Sequence, residues 1–146
     1  MVRDVRFHLP LLLGLFVLLC PIWPMLGSHT PSSWFETQHL LKKKLPCNML
    51  MSKINNYKSE CKASNTFLHV SFQSVVDVCT LPAIPCKKIK GNICHQSKNP
   101  VNVTKCVIRS RTPCTYSDFS KLSKFTVACQ HRFNNPHYPL LPFHLD

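Results

Sequence analysis

The chain has 146 residues and carries 18 Lys and Arg against 6 Asp and Glu, a formal net charge of +12. That is one domain's length, and so few carboxylates exclude an acidic tail or a carboxylate cage for a hard cation. Three glycines cannot build a glycine-rich phosphate cradle, and 45% hydrophobic residues exclude a disordered basic tail.

In chain order, Arg3 and Arg6 precede the apolar run from Leu11 to Cys20, which is too short to span a bilayer. Residues 1–27 therefore read as a secretory signal with a cleavage point somewhere in 24–30, leaving 28–146 as a secreted, extracellular domain. Nine cysteines become eight when Cys20 leaves with the leader, and the net charge becomes +11. An even number of cysteines in a short exported chain implies four disulfides, and spacing alone leaves 105 pairings open.

Residues 28–33 form a short Ser/Pro arm. A helix is expected over Trp34–Leu41, capped by Ser32 or Ser33. A second is expected over Cys47–Ile54, where Leu50, Met51 and Ile54 repeat at helical spacing. A third is expected over Ser71–Cys79, from Phe72, Val75, Val76 and Cys79. Beyond Cys79 the apolar residues alternate at Val101–Val103, Val107–Ile108 and Phe125–Val127, between prolines, which predicts antiparallel strands. Helices first and strands later indicate an α+β fold.

The chemistry open to such a chain is narrow. There is no C-x-x-C, H-E-x-x-H or G-x-S-x-G, and paired cysteines leave no thiol nucleophile, so neither a metal nor a cofactor is expected. What remains is histidine, able to act as base or acid near neutrality, and lysine, able to stabilise a phosphorane-like anion. A strongly basic exported domain suits a polyanion such as RNA, a heparan-like glycan or an anionic bacterial surface. Leu40-Leu41-Lys42-Lys43-Lys44-Leu45 sets a lysine block beside apolar residues, a combination that suits an anionic membrane. Asn102-Val103-Thr104 is an N-glycosylation sequon.

Several segments together resemble the pancreatic ribonuclease family. Cys61-Lys62-Ala63-Ser64-Asn65-Thr66-Phe67 fits its C-K-x-x-N-T-F signature, Trp34-Phe35-Glu36-Thr37-Gln38-His39 its F-E-x-Q-H helix, and Phe143-His144-Leu145-Asp146 its V-H-[FL]-D strand. The eight cysteines, at intervals of 14, 18, 7, 8, 12, 8 and 15, follow the same order. Asn55-Asn56-Tyr57, Asn65-Thr66-Phe67-Leu68-His69 and Cys94-His95-Gln96-Ser97 look most like the ribonuclease six branch of cationic host-defence enzymes.

The resemblance implies three helices against a bent, V-shaped antiparallel sheet, with bridges Cys47–Cys106, Cys61–Cys114, Cys79–Cys129 and Cys86–Cys94. It implies cleavage of single-stranded RNA after pyrimidines through a 2′,3′-cyclic phosphate. His39 would be the general base, His144 the general acid, and Lys62 the stabiliser of phosphoryl charge. Gln38 would bind a phosphoryl oxygen, Thr66 would read the base, and Asp146 would orient His144. The cytosolic ribonuclease inhibitor is an implied partner, and a monomer the implied state.

Four departures from the family pattern matter. The chain stops at Asp146, so its terminal carboxylate is expected to raise the His144 pKa or loosen the last strand. Asn92 stands one place before the family's Asn, with Ile93 intervening, which bears on binding of the base after the cleaved bond. Lys105 and Val107 flank Cys106 where relatives carry Asp and Arg. Trp34 replaces a phosphate-binding lysine, leaving Lys87 and Lys88 to supply flanking phosphate contacts.

Overall fold

The computed structural model describes residues 29–146; the expected leader and Cys20 lie outside the described residues. Helix α1 (Pro31–His39) starts earlier than its periodicity suggests. Proline suits the first turn because its missing N–H would be unpaired there anyway, so Ser32 and Ser33 fall inside the helix rather than capping it. The helix also ends two residues early, at His39. Beyond it, Leu40 bridges Leu68 and the Leu41 N–H donates to the Leu68 carbonyl at 3.0 Å.

Helix α2 (Cys47–Lys58) runs a turn beyond Ile54. Its stripe of Cys47, Met51, Ile54 and Asn55 is buried at helical spacing, and Ser59, at φ 56°, ends it in the left-handed region. Helix α3 (Phe72–Val78) lies within the expected span, with Ser71 as the N-cap accepting from the Ser74 N–H at 3.2 Å.

The strands are β1 (Ser64–Leu68), β2 (Ile84–Pro85), β3 (Ile93–Gln96), β4 (Val101–Arg111), β5 (Cys114–Ser123), β6 (Thr126–His131) and β7 (Leu140–Leu145). All pair antiparallel, in two sheets ordered β1-β4-β5 and β2-β3-β6-β7. Successive strand residues point to opposite faces. Phe67 therefore enters a cluster with Met51, Ile54 and Tyr116 beside α2, and Leu68 enters another with Phe35, Val75 and Val127 beside α1 and α3.

Four disulfides join Cys47–Cys106, Cys61–Cys114, Cys79–Cys129 and Cys86–Cys94, with Cα separations of 5.6, 5.9, 5.9 and 5.0 Å. The pairing and the α+β architecture are those the family resemblance implies. The Cys86–Cys94 bridge closes a small loop, whereas the other three join segments 50 to 59 residues apart.

Candidate active site

The end of α1, the start of β1 and the end of β7 converge on one open cleft of about 740 Å³, lined by His39, Lys62, Thr66 and His144 among others. His39 is the last residue of α1, so its ring leaves the helix toward β1. Its Nδ1 lies 2.8 Å from the Thr66 carbonyl oxygen. A carbonyl can only accept, so Nδ1 carries the proton and Nε2 is left with a free lone pair. Burial of the ring, reinforced by the charges of Lys62, His144 and Lys88, outweighs that hydrogen bond and lowers the His39 pKa to about 4. The imidazole is thus neutral near pH 7, the form a base requires.

Lys62 follows Cys61, which is anchored to β5 through Cys114. Its carbonyl accepts from the Tyr116 hydroxyl at 2.7 Å, and its N–H donates to Asn55 Oδ1 at 3.0 Å. Asn55 Nδ2 also donates to the Tyr116 hydroxyl, at 2.8 Å, which closes a three-residue network under the lysine. The ammonium donates to Asn65 Oδ1 at 2.8 Å. Burial, with Lys58 and Lys88 nearby, lowers the Lys62 pKa to about 8. The buried Asn65 reaches Gln38 as well. Its Nδ2 donates to the Gln38 carbonyl at 2.8 Å, and its Oδ1 lies 3.5 Å from Gln38 Nε2. Asn65 therefore ties two cleft residues from different elements together. No role was assigned to it from sequence, although it stands inside the C-K-x-x-N-T-F motif.

His144 pairs with Ala128 on β6, next to a bulge in the β6–β7 ladder. Its Nε2 lies 3.6 Å from Asp146 Oδ1, too long for a conventional hydrogen bond but close enough for charge attraction. Asp146 is itself fixed: its two carboxylate oxygens accept the Lys87 and Lys88 N–H groups at 2.8 Å each. Burial pushes its pKa up, but those two donors and the charges of His144 and Lys88 leave it lowered. The expected rise of the His144 pKa is not what results. Burial lowers it, and the attraction of Asp146 offsets only part of that. Nor is the strand end loose, because the Asp146 N–H donates to the Thr126 carbonyl at 2.8 Å.

Lys87 lines the cleft together with Lys88, and Gln38 lines it beside His39. Asn92 does not: it is exposed in the turn before β3, its backbone bonded to Ile89 and Cys86. The disulfide closes this turn so that the lysines, rather than Asn92, face the site. Lys105, Lys121 and Lys124 also reach the cleft, and seven lysines in all face a single carboxylate, that of Asp146, among the described residues of its wall. Strand pairing assembles this charge from distant segments, so no local motif announces it. Asn102 lies away from the cleft, exposed on β4.

A lone pair at His39 Nε2, an imidazole at His144 under the charge of a nearby carboxylate, and the Lys62 ammonium in the same cleft can take one proton, give another and stabilise an anion. Comparison with known proteins agrees with this chemistry. The family model described as pancreatic ribonuclease matches residues 30–146. "Ribonuclease K6" of Pongo pygmaeus is 48% identical over 145 residues, covering 94% of this chain and 95% of the relative. The Homo sapiens protein of that name gives the same identity and coverage, and the Bos taurus one is 45% identical over 139 residues, covering 93% and 90%.

Proposed function

The chain belongs to the pancreatic ribonuclease family, in its ribonuclease six branch, and is an RNA-cleaving endoribonuclease; from that premise we propose that it cuts after pyrimidines by transphosphorylation. His39 Nε2 takes the proton of the ribose 2′-hydroxyl. The 2′-oxygen bonds to the adjacent phosphorus while the bond from phosphorus to the 5′-oxygen breaks. His144 gives its proton to that leaving oxygen. Lys62 stabilises the charge on the phosphoryl oxygens, and Gln38 donates to one of them. The products are a 2′,3′-cyclic phosphate and a 5′-hydroxyl, and DNA, lacking the nucleophile, is not cut. Thr66 reads the pyrimidine edge.

The observation that carries this reading is the hydrogen bond from His39 to the Thr66 carbonyl. It fixes the basic nitrogen and ties the base catalyst to the residue beside the nucleobase. The test is turnover of poly(U), poly(C) and poly(A) by residues 28–146. The two pyrimidine polymers should be cut and poly(A) spared. His39→Ala and His144→Ala should each lower kcat/KM by about 10²–10⁴-fold. Full activity in both variants overturns the assignment.

A leader over residues 1–27, secretion and a role in host defence belong to the same proposal. A second reading, damage to anionic bacterial surfaces without catalysis, draws on the tip between β6 and β7. There Phe133 is 73% exposed, with Arg132 at 5.1 Å from its ring and Tyr138 edge-on at 5.5 Å. Bacterial killing by the His39→Ala protein would support this reading, and killing lost together with turnover would refute it.

A further inference from the structure

Strand β5 is an edge of the three-stranded sheet, and most of its residues are exposed. Among them is an aromatic, Phe119, at 54% exposure. No ring contact joins it to another aromatic among the described residues. Its face follows from the pleat. Successive residues alternate, so Phe119, Lys121 and Ser123 share one side of β5. Lys121 and Ser123 line the catalytic cleft, which puts Phe119 on the cleft side. The intervening residues turn away. Tyr116 is buried beside α2, and Asp118 accepts the Cys47 N–H at 2.9 Å. Ser120 and Leu122 border a separate groove of about 460 Å³, which adjoins the cleft and also holds Lys42, Lys44, His69 and Asn102.

The register of the two ladders fixes what stands beside the ring. Thr66 on β1 is opposite Lys105 on β4, and Lys105 is opposite Phe119 on β5. Directly opposed residues share a face. The three therefore form one row across the sheet, with Thr66 and Lys105 inside the cleft and Phe119 just beyond its wall. Two strand spacings put Thr66 and Phe119 roughly 10 Å apart, a span that one nucleotide step with splayed bases can cover. Ammonium groups bracket the ring, Lys105 across the ladder and Lys121 two residues along the strand. The adjacent carboxylate, that of Asp118, is held on the other face by the Cys47 N–H. A polyanion leaving the cleft along this row passes two cations and meets an aromatic surface.

We propose that Phe119 is a stacking platform for a second nucleobase, the neighbour in the RNA of the pyrimidine at Thr66. The proposal rests on the RNA-cleaving reading and on Thr66 as the residue beside the first base. A phenyl ring offers area and a π-face but no hydrogen-bonding edge, so it holds a base without reading it. Every base has such a face, and the larger purines cover more of the ring. An exposed aromatic on an open sheet surface is a means of holding single-stranded RNA with its bases splayed apart.

The experiment measures binding of uncleavable 2′-O-methyl trinucleotides with a central uridine. One probe carries adenine on both sides. Two others carry an abasic residue in place of one adenine, on the 5′ side or on the 3′ side. At one flank, the wild-type protein should bind the abasic probe at least about fivefold more weakly than the all-base probe. In Phe119→Ala the difference at that flank should vanish, through lost affinity for the all-base probe, and in Phe119→Trp it should be kept or grow. Hydrolysis of uridine 2′,3′-cyclic phosphate, which has no second base, should not change in either variant. A wild-type protein indifferent to both abasic positions overturns the proposal. So does a Phe119→Ala protein that keeps the wild-type differences at both flanks, or one that loses affinity equally for all three probes. Because the probes are not cut, a wild-type protein that binds them but fails to cleave poly(U) overturns the reaction and leaves this measurement standing.

Discussion

At His39 the same burial that makes the imidazole a free base sets the conditions under which it works. In the proposed reaction the base needs its proton off, so His39 would act above about pH 4. An acid needs its proton on, so His144 is competent only below its own pKa, which burial has lowered from the ordinary 6.5. The kcat/KM profile of the free enzyme should therefore peak on the acid side of neutrality, as a bell measured on a dinucleotide at constant ionic strength. Asp146→Asn removes the attraction that holds the His144 pKa up, so its alkaline limb should move to lower pH while the acid limb stays. An unmoved alkaline limb would mean that Asp146 does not act on His144. The linkage to stability has a definite sign. His39 has a lower pKa folded than unfolded, so the unfolded chain binds more protons between 6.5 and about 4, and stability falls as pH drops through that window. The three residues proposed to carry the chemistry, which the fold brings into one cleft, stood out in the sequence because each sits inside a short motif. Asn65 was in view but had no assigned role, since its two partners, Lys62 and Gln38, converge on it only in the fold.

Among the elements, the 86–94 loop couples stability to the site most directly. Its bridge closes only 8 residues, whereas Cys47–Cys106 closes 59. On a chain-entropy estimate the two contribute about 2.5 and about 4 kcal/mol. Replacing Cys86 and Cys94 by alanine should thus lower the denaturation midpoint less than replacing Cys47 and Cys106. The short loop nonetheless presents the Lys87 and Lys88 N–H groups to Asp146, and its loss should depress kcat/KM on RNA disproportionately. Thermal unfolding and steady-state kinetics on the two double variants check this, and equal ratios of lost activity to lost stability would refute it. All three helices were legible from apolar spacing, and their ends shifted for local reasons: proline at the start of α1, a left-handed serine after α2, a serine cap before α3. The strands were legible only in part. β1 carries Asn65 and Thr66 toward the site and shows no simple alternation, and β5 is largely exposed.

At the scale of the whole molecule, charge is the property that no single segment displays. The lysine block near residue 42, the loop at 87 and 88, and the β4–β5 hairpin with Lys105 and Lys121 come from separate stretches of chain. Folding turns them into two adjoining cationic cavities. Sequence gave the excess charge but not its layout, because register between β4 and β5 decides which lysines share a face. The groove beside the cleft also contains the sequon, and there the order of events in synthesis becomes important. Thr104, whose hydroxyl an oligosaccharyltransferase must recognise, is 0% exposed and bonded to His69. Folding closes the acceptor site, so a glycan can reach Asn102 only while the segment around β4 is still open. In the proposed exported protein, glycan occupancy would then act as a clock for oxidative folding. Slowing disulfide formation with a mild reductant should raise the glycosylated fraction, and Thr104→Ser should keep that response whereas Asn102→Gln abolishes it, as a mobility shift removed by deglycosylation would report. An occupancy indifferent to folding rate would refute the clock. Where a glycan is added, it stands at the wall of the cationic groove beside the cleft, so the speed at which one molecule folded would be written permanently into the face it presents there.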